Sequence, residues 1–351
     1  MGICVEQNIN KGIKHLLIAS DLSYSQCFLG GIYFEGKHVK QDIKKAINYF
    51  TLAAKQNEAY AQHKLGFLYQ QGEYVQPDIN KAIYYYTLAA NQNYSESQHN
   101  LGLIYYIGDG VPKNIKKGIY YIILASKNRF KQANFLHGFL LHEGKNVKRN
   151  IDEAIHFYKE ASSFNNQYAK NNLGVIYKNG FGDKCKKNLT MAVEYLKEAI
   201  NQKNDPLSMY NLATIYIYDE DYKIDISKSI QLLINSSEKF SESLILLSLV
   251  LVKHFNFDIE AIKQEIKKFS NEKNLLSTGI QRIIFEFGFL NKSIYNYFNN
   301  IYKTRDFIYN IQLEAILSSE IQNLKMKEEI PINPKAKEIS SQFYDGFGLF
   351  V

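Results

Sequence analysis

The sequence predicts an all-α chain, a solenoid of stacked helix-turn-helix units, and three observations predict it. Gly30, Gly66, Gly102, Gly138 and Gly174 recur at an unvarying spacing of 36 residues, inside the phrases LGGIYFEG, LGFLYQQG, LGLIYYIG, HGFLLHEG and LGVIYKNG. A fixed period of this size marks an array of supersecondary units. A second glycine closes each phrase, as Gly36, Gly72, Gly108, Gly144 and Gly180. An Asp or Asn then follows every time, as Asp42, Asp78, Asn114, Asn150, Asn188 and Asp225.

In chain order, residues 9–20 resemble a lone second helix, with Lys11, Gly12 and Ile13 where later copies carry Lys-Ala-Ile, and residues 1–20 are expected to cap the array. About six units fill residues 21–252. In the second copy, Ala61, Leu65, Leu68 and Tyr69 fall at helical spacing and predict a first helix, helix A. Gly72 ends it, because glycine adopts the left-handed conformation of a helix C-cap without steric penalty. Asp78 caps helix B by accepting hydrogen bonds from free backbone N–H groups. Ala82, Tyr85, Tyr86, Ala89 and Ala90 give helix B one apolar face. A small residue stands four places after each cap (Ala46, Ala82, Gly118, Ala154, Ala192, Ser229), which would let helices A and B approach closely. The Leu-Gly pair is expected to do the same toward the next unit. Residues 253–326 keep helical periodicity without the phrase and are read as a helical C-terminal cap; stripes such as Ile280, Ile283, Ile284 and Phe287 carry that reading. Pro331 and Pro334 open a tail, residues 327–351.

Composition agrees. Of 351 residues 46% are hydrophobic, including 27 Tyr and 22 Phe, enough for a continuous core, and five Pro and no Trp suit a helical chain. Three cysteines, Cys4, Cys27 and Cys185, stand far apart, which argues for reduced thiols in a cytoplasmic setting rather than a disulfide framework. The first ten residues carry no apolar run, so no secretory signal is expected, and the apolar stretch from Leu244 to Val252 is far shorter than the ~20 residues needed to span a bilayer.

The repeat resembles the Sel-1-like repeat (SLR) family, relatives of tetratricopeptide repeats. Its pattern stands in the second copy as Ala61, Leu65, Gly66, Tyr69, Gly72, Val75, Asp78, Lys81, Ala82, Tyr85, Tyr86, Ala89 and Ala90. Departures occur at His137 in place of Leu, at a two-residue insertion near Cys185, and at Ala213 and Asp219 in place of the two glycines. The resemblance implies a right-handed superhelix with helix A on its concave wall, and a non-enzymatic scaffold that assembles protein partners there. Positions that vary on helix A are then the candidate partner contacts: His63, His99 and Asn171 two places before the Leu; Phe67, Leu103 and Phe139 after the Gly; Gln70, Tyr106, His142 and Lys178 after the Tyr.

No nucleotide-binding, zinc-protease or serine-hydrolase motif is present, so the sequence predicts no catalytic residue, no cofactor and no metal. His63 and His99 share a repeat position, but no further ligands recur beside them to complete a metal site. Charge is uneven. The chain carries a net +7, and residues 101–200 alone hold sixteen basic and eight acidic residues. Much of that excess lies in the A-to-B loops, as Lys113, Lys116, Lys117, Lys145, Lys148, Arg149, Lys184, Lys186 and Lys187. Equivalent loops of a solenoid line one edge, so these predict a basic ridge suited to an acidic protein or an anionic membrane surface. Nucleic acid is disfavoured because no aromatic-plus-basic recognition module accompanies the ridge. Leu349-Phe350-Val351 has the form that strand-adding domains capture at a free carboxylate.

Overall fold

The computed structural model describes residues 9–144, 146–181, 185–237, 239–240, 242–256 and 258–270, together with 280, 284, 292, 295 and 296. Among them the fold is all-α, with fifteen helices and one isolated bridge between Phe181 and Cys185. The chain divides into two compact units, one built on Met1–Ala133 and one on Asn134–Gln312.

In the first unit α1 (Ile9–Ile18) packs on α2 (Ser23–Glu35), followed by α3 (Ile43–Lys55), α4 (Ala59–Gln71), α5 (Ile79–Asn91), α6 (Ser95–Ile107) and α7 (Ile115–Lys127). The pairs α2–α3, α4–α5 and α6–α7 are the expected A–B hairpins, and α3 also packs on α4 and α5 on α6. The division falls within α8 (Lys131–Glu143). The second unit continues with α9 (Ile151–Ser163), α10 (Gln167–Asn179), α11 (Leu189–Lys203), α12 (Pro206–Tyr218) and α13 (Ile226–Ser237). One further pair follows the recognisable repeats, α14 (Glu242–His254) and α15 (Ile259–Ser270).

The punctuation is where the sequence places it. Asp42, Asp78, Asn114, Asn150, Asn188 and Asp225 each cap a B helix, their Oδ1 accepting from the backbone N–H three residues on at 3.0–3.2 Å. Gly72 ends α4 at φ +72°, a left-handed conformation that costs glycine little, and its N–H donates to the Leu68 carbonyl. The return turn from B to A is also left-handed, at Asn57, Asn93, Arg129 and Asn165. Asn suits this conformation best among residues with a side chain.

The signature glycine has a different neighbour from the one its sequence position suggests. A Cβ at Gly66 would lie 2.7 Å from Tyr86 Cδ1, and at Gly30 2.7 Å from Phe50 Cδ1. Both rings belong to helix B of the same unit, so the glycine admits a wide side chain into its own hairpin rather than packing toward the next unit. Tyr86 and Phe50 are fully buried as a result, as are Tyr158 and Leu196 at the equivalent places. The Ala46/Ala82/Gly118 positions do mark the close A–B approach: a Cβ at Gly118 would meet the Tyr106 backbone at 2.7 Å.

Candidate functional site

A helix that packs against its own B helix and both neighbouring repeats has little surface left over. Which of its residues keep that surface decides where a partner can touch. In the first unit one stripe of the A helices keeps solvent access at most of its positions, Leu103 of α6 being buried at the place of Phe67. On α4 it runs Tyr60, Lys64, Phe67 and Gln71, all half-buried, at the i, i+4, i+7, i+11 spacing of a single helix face. The same stripe holds Tyr24, Phe28 and Glu35 on α2, with Tyr24 and Phe28 exposed, and Glu96, Asn100 and Ile107 on α6. The Lys64 ammonium lies 5.1 Å from the Tyr60 ring centroid. Burial holds its pKa down, opposed by the charges of Glu35 on the preceding repeat and Glu96 on the following one. Both amide atoms of Gln71 are buried without a hydrogen-bond partner in the chain.

Most of the residues expected to contact partners stand one step round the helix from this stripe, a rotation of about 100° per residue. They form the seam to the next repeat. His63 shares a 2.9 Å hydrogen bond with Ser97 Oγ and its ring packs against Tyr86 and Tyr94. Burial, with help from Lys64, lowers its pKa to about 3. The His99 ring packs on Phe130, burial lowers its pKa to about 4, and its Nδ1 has no partner. Gln70 is buried, accepts from the Tyr86 hydroxyl at 2.9 Å and reaches Asp109 at 3.4 Å. Leu103 and Phe139 are core residues. Phe67 and Tyr106 are half-buried, Phe67 against the core of Ala82, Tyr86, Ala90, Leu101 and Ile104. The reading of Leu103, Phe139, Gln70, His99, His142, Asn171 and Lys178 as groove surface is corrected by their burial.

In the second unit the A helices have no open side. Ten consecutive residues are buried on α10, Ala169 to Lys178, and ten on α12, Leu207 to Tyr216. Ten residues span nearly three turns, so every face is covered. Their polar side chains are used internally. Asn171 Oδ1 accepts from Asn211 Nδ2 at 2.9 Å and from Ser208 Oγ at 3.1 Å; Asn172 donates to the Tyr158 hydroxyl, which lies 3.4 Å from His142 Nδ1. Lys178 donates to Thr214 Oγ1 at 3.0 Å. Burial lowers the His142 pKa to about 4.

The loop cations are also employed locally. Lys117 Nζ sits 4.0 Å from the Tyr105 ring centroid and donates to its hydroxyl at 2.7 Å. Lys45 and Lys81 occupy the same place over Tyr33 and Tyr69, so this lysine belongs to the repeat rather than to a special ridge. The tyrosines beneath stack in turn on Tyr49, Tyr85 and Tyr121. Lys113 lies over Tyr106 at 6.0 Å. Arg149 donates to the His142 carbonyl and lies over Phe181, and Lys187 bridges Asp219 and Asp221 at 2.7 and 2.9 Å. Lys116, Lys148 and Lys186 are exposed. Lys145 and Lys184, the 327–351 tail with its Leu349-Phe350-Val351 end, and most of the 253–326 cap lie outside the described residues; Ile280 and Ile284 from that cap are buried.

A ladder of amides at the B-to-A turns escaped the sequence reading. Gln56 donates to Gln26, Gln92 to Gln62 and Asn128 to Gln98, at 3.0, 2.8 and 2.8 Å. Gln26, Gln62 and Gln98 stand 36 residues apart, and that period was the available signal.

Among the described residues there is no cluster of three or more metal-ligating side chains, and no helix is long and apolar enough to cross a membrane. Cys27 and Cys185 are free and buried, and burial raises the Cys27 thiol to about 12. Paired helices in register, with an open side-chain stripe and no such cluster, define a helical-repeat protein. The Sel1 repeat family matches residues 1–24, 23–58, 59–94, 95–129, 131–163, 167–204 and 206–239, and the chain belongs to that family. The first match takes α1 as the second half of a seventh repeat, one more than the roughly six units expected.

Two solved structures share the fold. One is c5321, a protective antigen present in uropathogenic Escherichia coli strains displaying an SLR fold, at 22% identity and TM-score 0.61, with 90% of this chain and 68% of that one covered. The other is a Sel1 repeat protein from Oxalobacter formigenes, at 24% identity and TM-score 0.53, with 64% and 90% covered. No curated protein matches the chain. Sel1 repeats generally mediate protein interactions.

Proposed function

We propose that the chain is a non-enzymatic adaptor that holds a protein partner on the A-helix wall of its first unit. The observation that carries this reading is the open stripe on α2, α4 and α6, set against the ten-residue buried runs of α10 and α12. The stripe carries four aromatic rings (Tyr24, Phe28, Tyr60, Phe67), a residue class enriched at protein interfaces, beside Lys64, Glu35 and Glu96.

The test is affinity capture from native cells with the full chain. A variant carrying Phe28→Ser, Lys64→Glu and Gln71→Ala is compared with Tyr84→Ser/Tyr120→Ser, which alters exposed tyrosines on the B helices. Loss of specific partners from the first variant alone, with both melting like the wild type, is the expected result. An unchanged partner list from the first variant would refute the proposal.

A further inference from the structure

The second unit contains a cleft of about 360 Å³ that is separate from the proposed adaptor surface. Its wall is aliphatic: Ile217 at the end of α12, Ile224 and Ile226 at the entry to α13, and Leu249 and Val250 on α14. Ile224 stands 52% exposed, a large apolar side chain left facing solvent at the rim. The described polar lining is Lys253, His254, Tyr218 and Tyr295. Lys253 and His254, both exposed, come from the last turn of α14, where the helix dipole favours positive charge. Tyr218 and Tyr295 add phenols whose pKa is raised by burial, and for Tyr218 also by Tyr295, so both hydroxyls stay protonated donors. Among the described residues that line it, none carries a carboxylate.

The neighbouring acids are partly paired. The segment between α12 and α13 holds Asp219, Glu220, Asp221 and Asp225. Lys187 engages Asp219 and Asp221, and Lys228 engages Asp225 at 2.8 Å, so two ammonium groups offset two of the four acidic charges. An aliphatic wall with the Lys253 ammonium and the His254 imidazole at its edge is complementary to an apolar body ending in an anion. At roughly 30 Å³ per heavy atom, taking the share of a liquid water, the cleft holds about a dozen heavy atoms.

We propose that this cleft binds a medium-chain aliphatic carboxylate, its chain against Ile217, Ile224, Ile226, Leu249 and Val250 and its head group beside Lys253 and His254. The head group receives charge-assisted hydrogen bonds, while the tail removes apolar wall from water.

Isothermal titration of the full chain with decanoate, below its micellar concentration, tests this. 1-Decanol serves as the uncharged control with the same chain. The expected result is saturable one-to-one binding of decanoate, about tenfold or more tighter than decanol, as charge-assisted bonds allow. Lys253→Gln/His254→Gln changes only exposed side chains and is expected to abolish that preference. Ile224→Trp fills the mouth and is expected to weaken both ligands about tenfold, with melting unchanged by circular dichroism. No saturable binding, equal affinity for acid and alcohol, a preference that survives the double glutamine change, or unaltered binding to Ile224→Trp would each overturn it.

Discussion

Gly66→Ala adds a single methyl group to the A–B seam of the second repeat. That methyl would stand 2.7 Å from Tyr86 Cδ1 and 2.9 Å from Cε1, where ordinary contact begins near 3.4 Å, so the ring must retreat by about 0.7 Å. It has little room to do so, being fully buried with its hydroxyl donating to Gln70 Oε1 at 2.9 Å. Overpacking of this kind costs about 1–3 kcal/mol. Against it stands the gain from replacing a helical glycine by alanine, about 0.5–1 kcal/mol. The net expectation is a loss of about 1–2 kcal/mol, read as a lower urea midpoint by circular dichroism with little change in slope. The decisive arm is the Tyr86→Ala background, itself about 3–5 kcal/mol less stable. There the clash is gone and only the propensity gain remains, so Gly66→Ala should stabilise by about 0.5–1 kcal/mol. Destabilisation of the same size in both backgrounds would refute the ring as the reason for the glycine.

Two further outcomes follow from buried polar groups. His99 and His142 titrate near 4 in the folded chain and near 6.5 when unfolded, so between those values the unfolded chain binds more protons and stability falls on acidification. By pH 4.5 the loss is roughly 2–3 kcal/mol per histidine, and His99→Leu should flatten the pH dependence of the urea midpoint by its share. A slope unchanged by His99→Leu would contradict the assignment. Asn171→Ala strips the acceptor from buried Asn211 and leaves Ser208 with Asp205 alone, and should cost about 1–3 kcal/mol, with Ser208→Ala costing less in that background than in the wild type. Strict additivity of the two changes would count against the network.

Much of the architecture was legible because it depends on local conformation. Left-handed caps favour glycine and helix starts favour a short side-chain acceptor, so Gly72 and Asp78 signal a helix end and a helix start from local sequence. The candidate surface was less legible. Phe67 was found on the open stripe, whereas His99, Leu103 and Lys178 proved to be seam or core. Variation between copies drew attention to these positions, but a position can vary because each copy solves its contact with the next differently. His63 with Ser97, Asn171 with Ser208 and Lys178 with Thr214 are three such solutions. The loop lysines were misleading for a related reason. Lys117 recurs because a tyrosine face recurs beneath it, and Lys187 recurs in the pattern yet serves a pair of aspartates in the next repeat.

By itself the sequence determined the repeat, its period, its helix boundaries and which face of each B helix is apolar, since all of these arise within about 36 residues of chain. Only the tertiary structure decided which A-helix side chains meet solvent. That choice turns on a rotation of one residue, about 100°, and on how closely neighbouring helices approach. The signature glycine shows the division. Its place in the phrase could be read at once, but that it makes room for Tyr86 and Phe50 within its own hairpin required the two helices side by side.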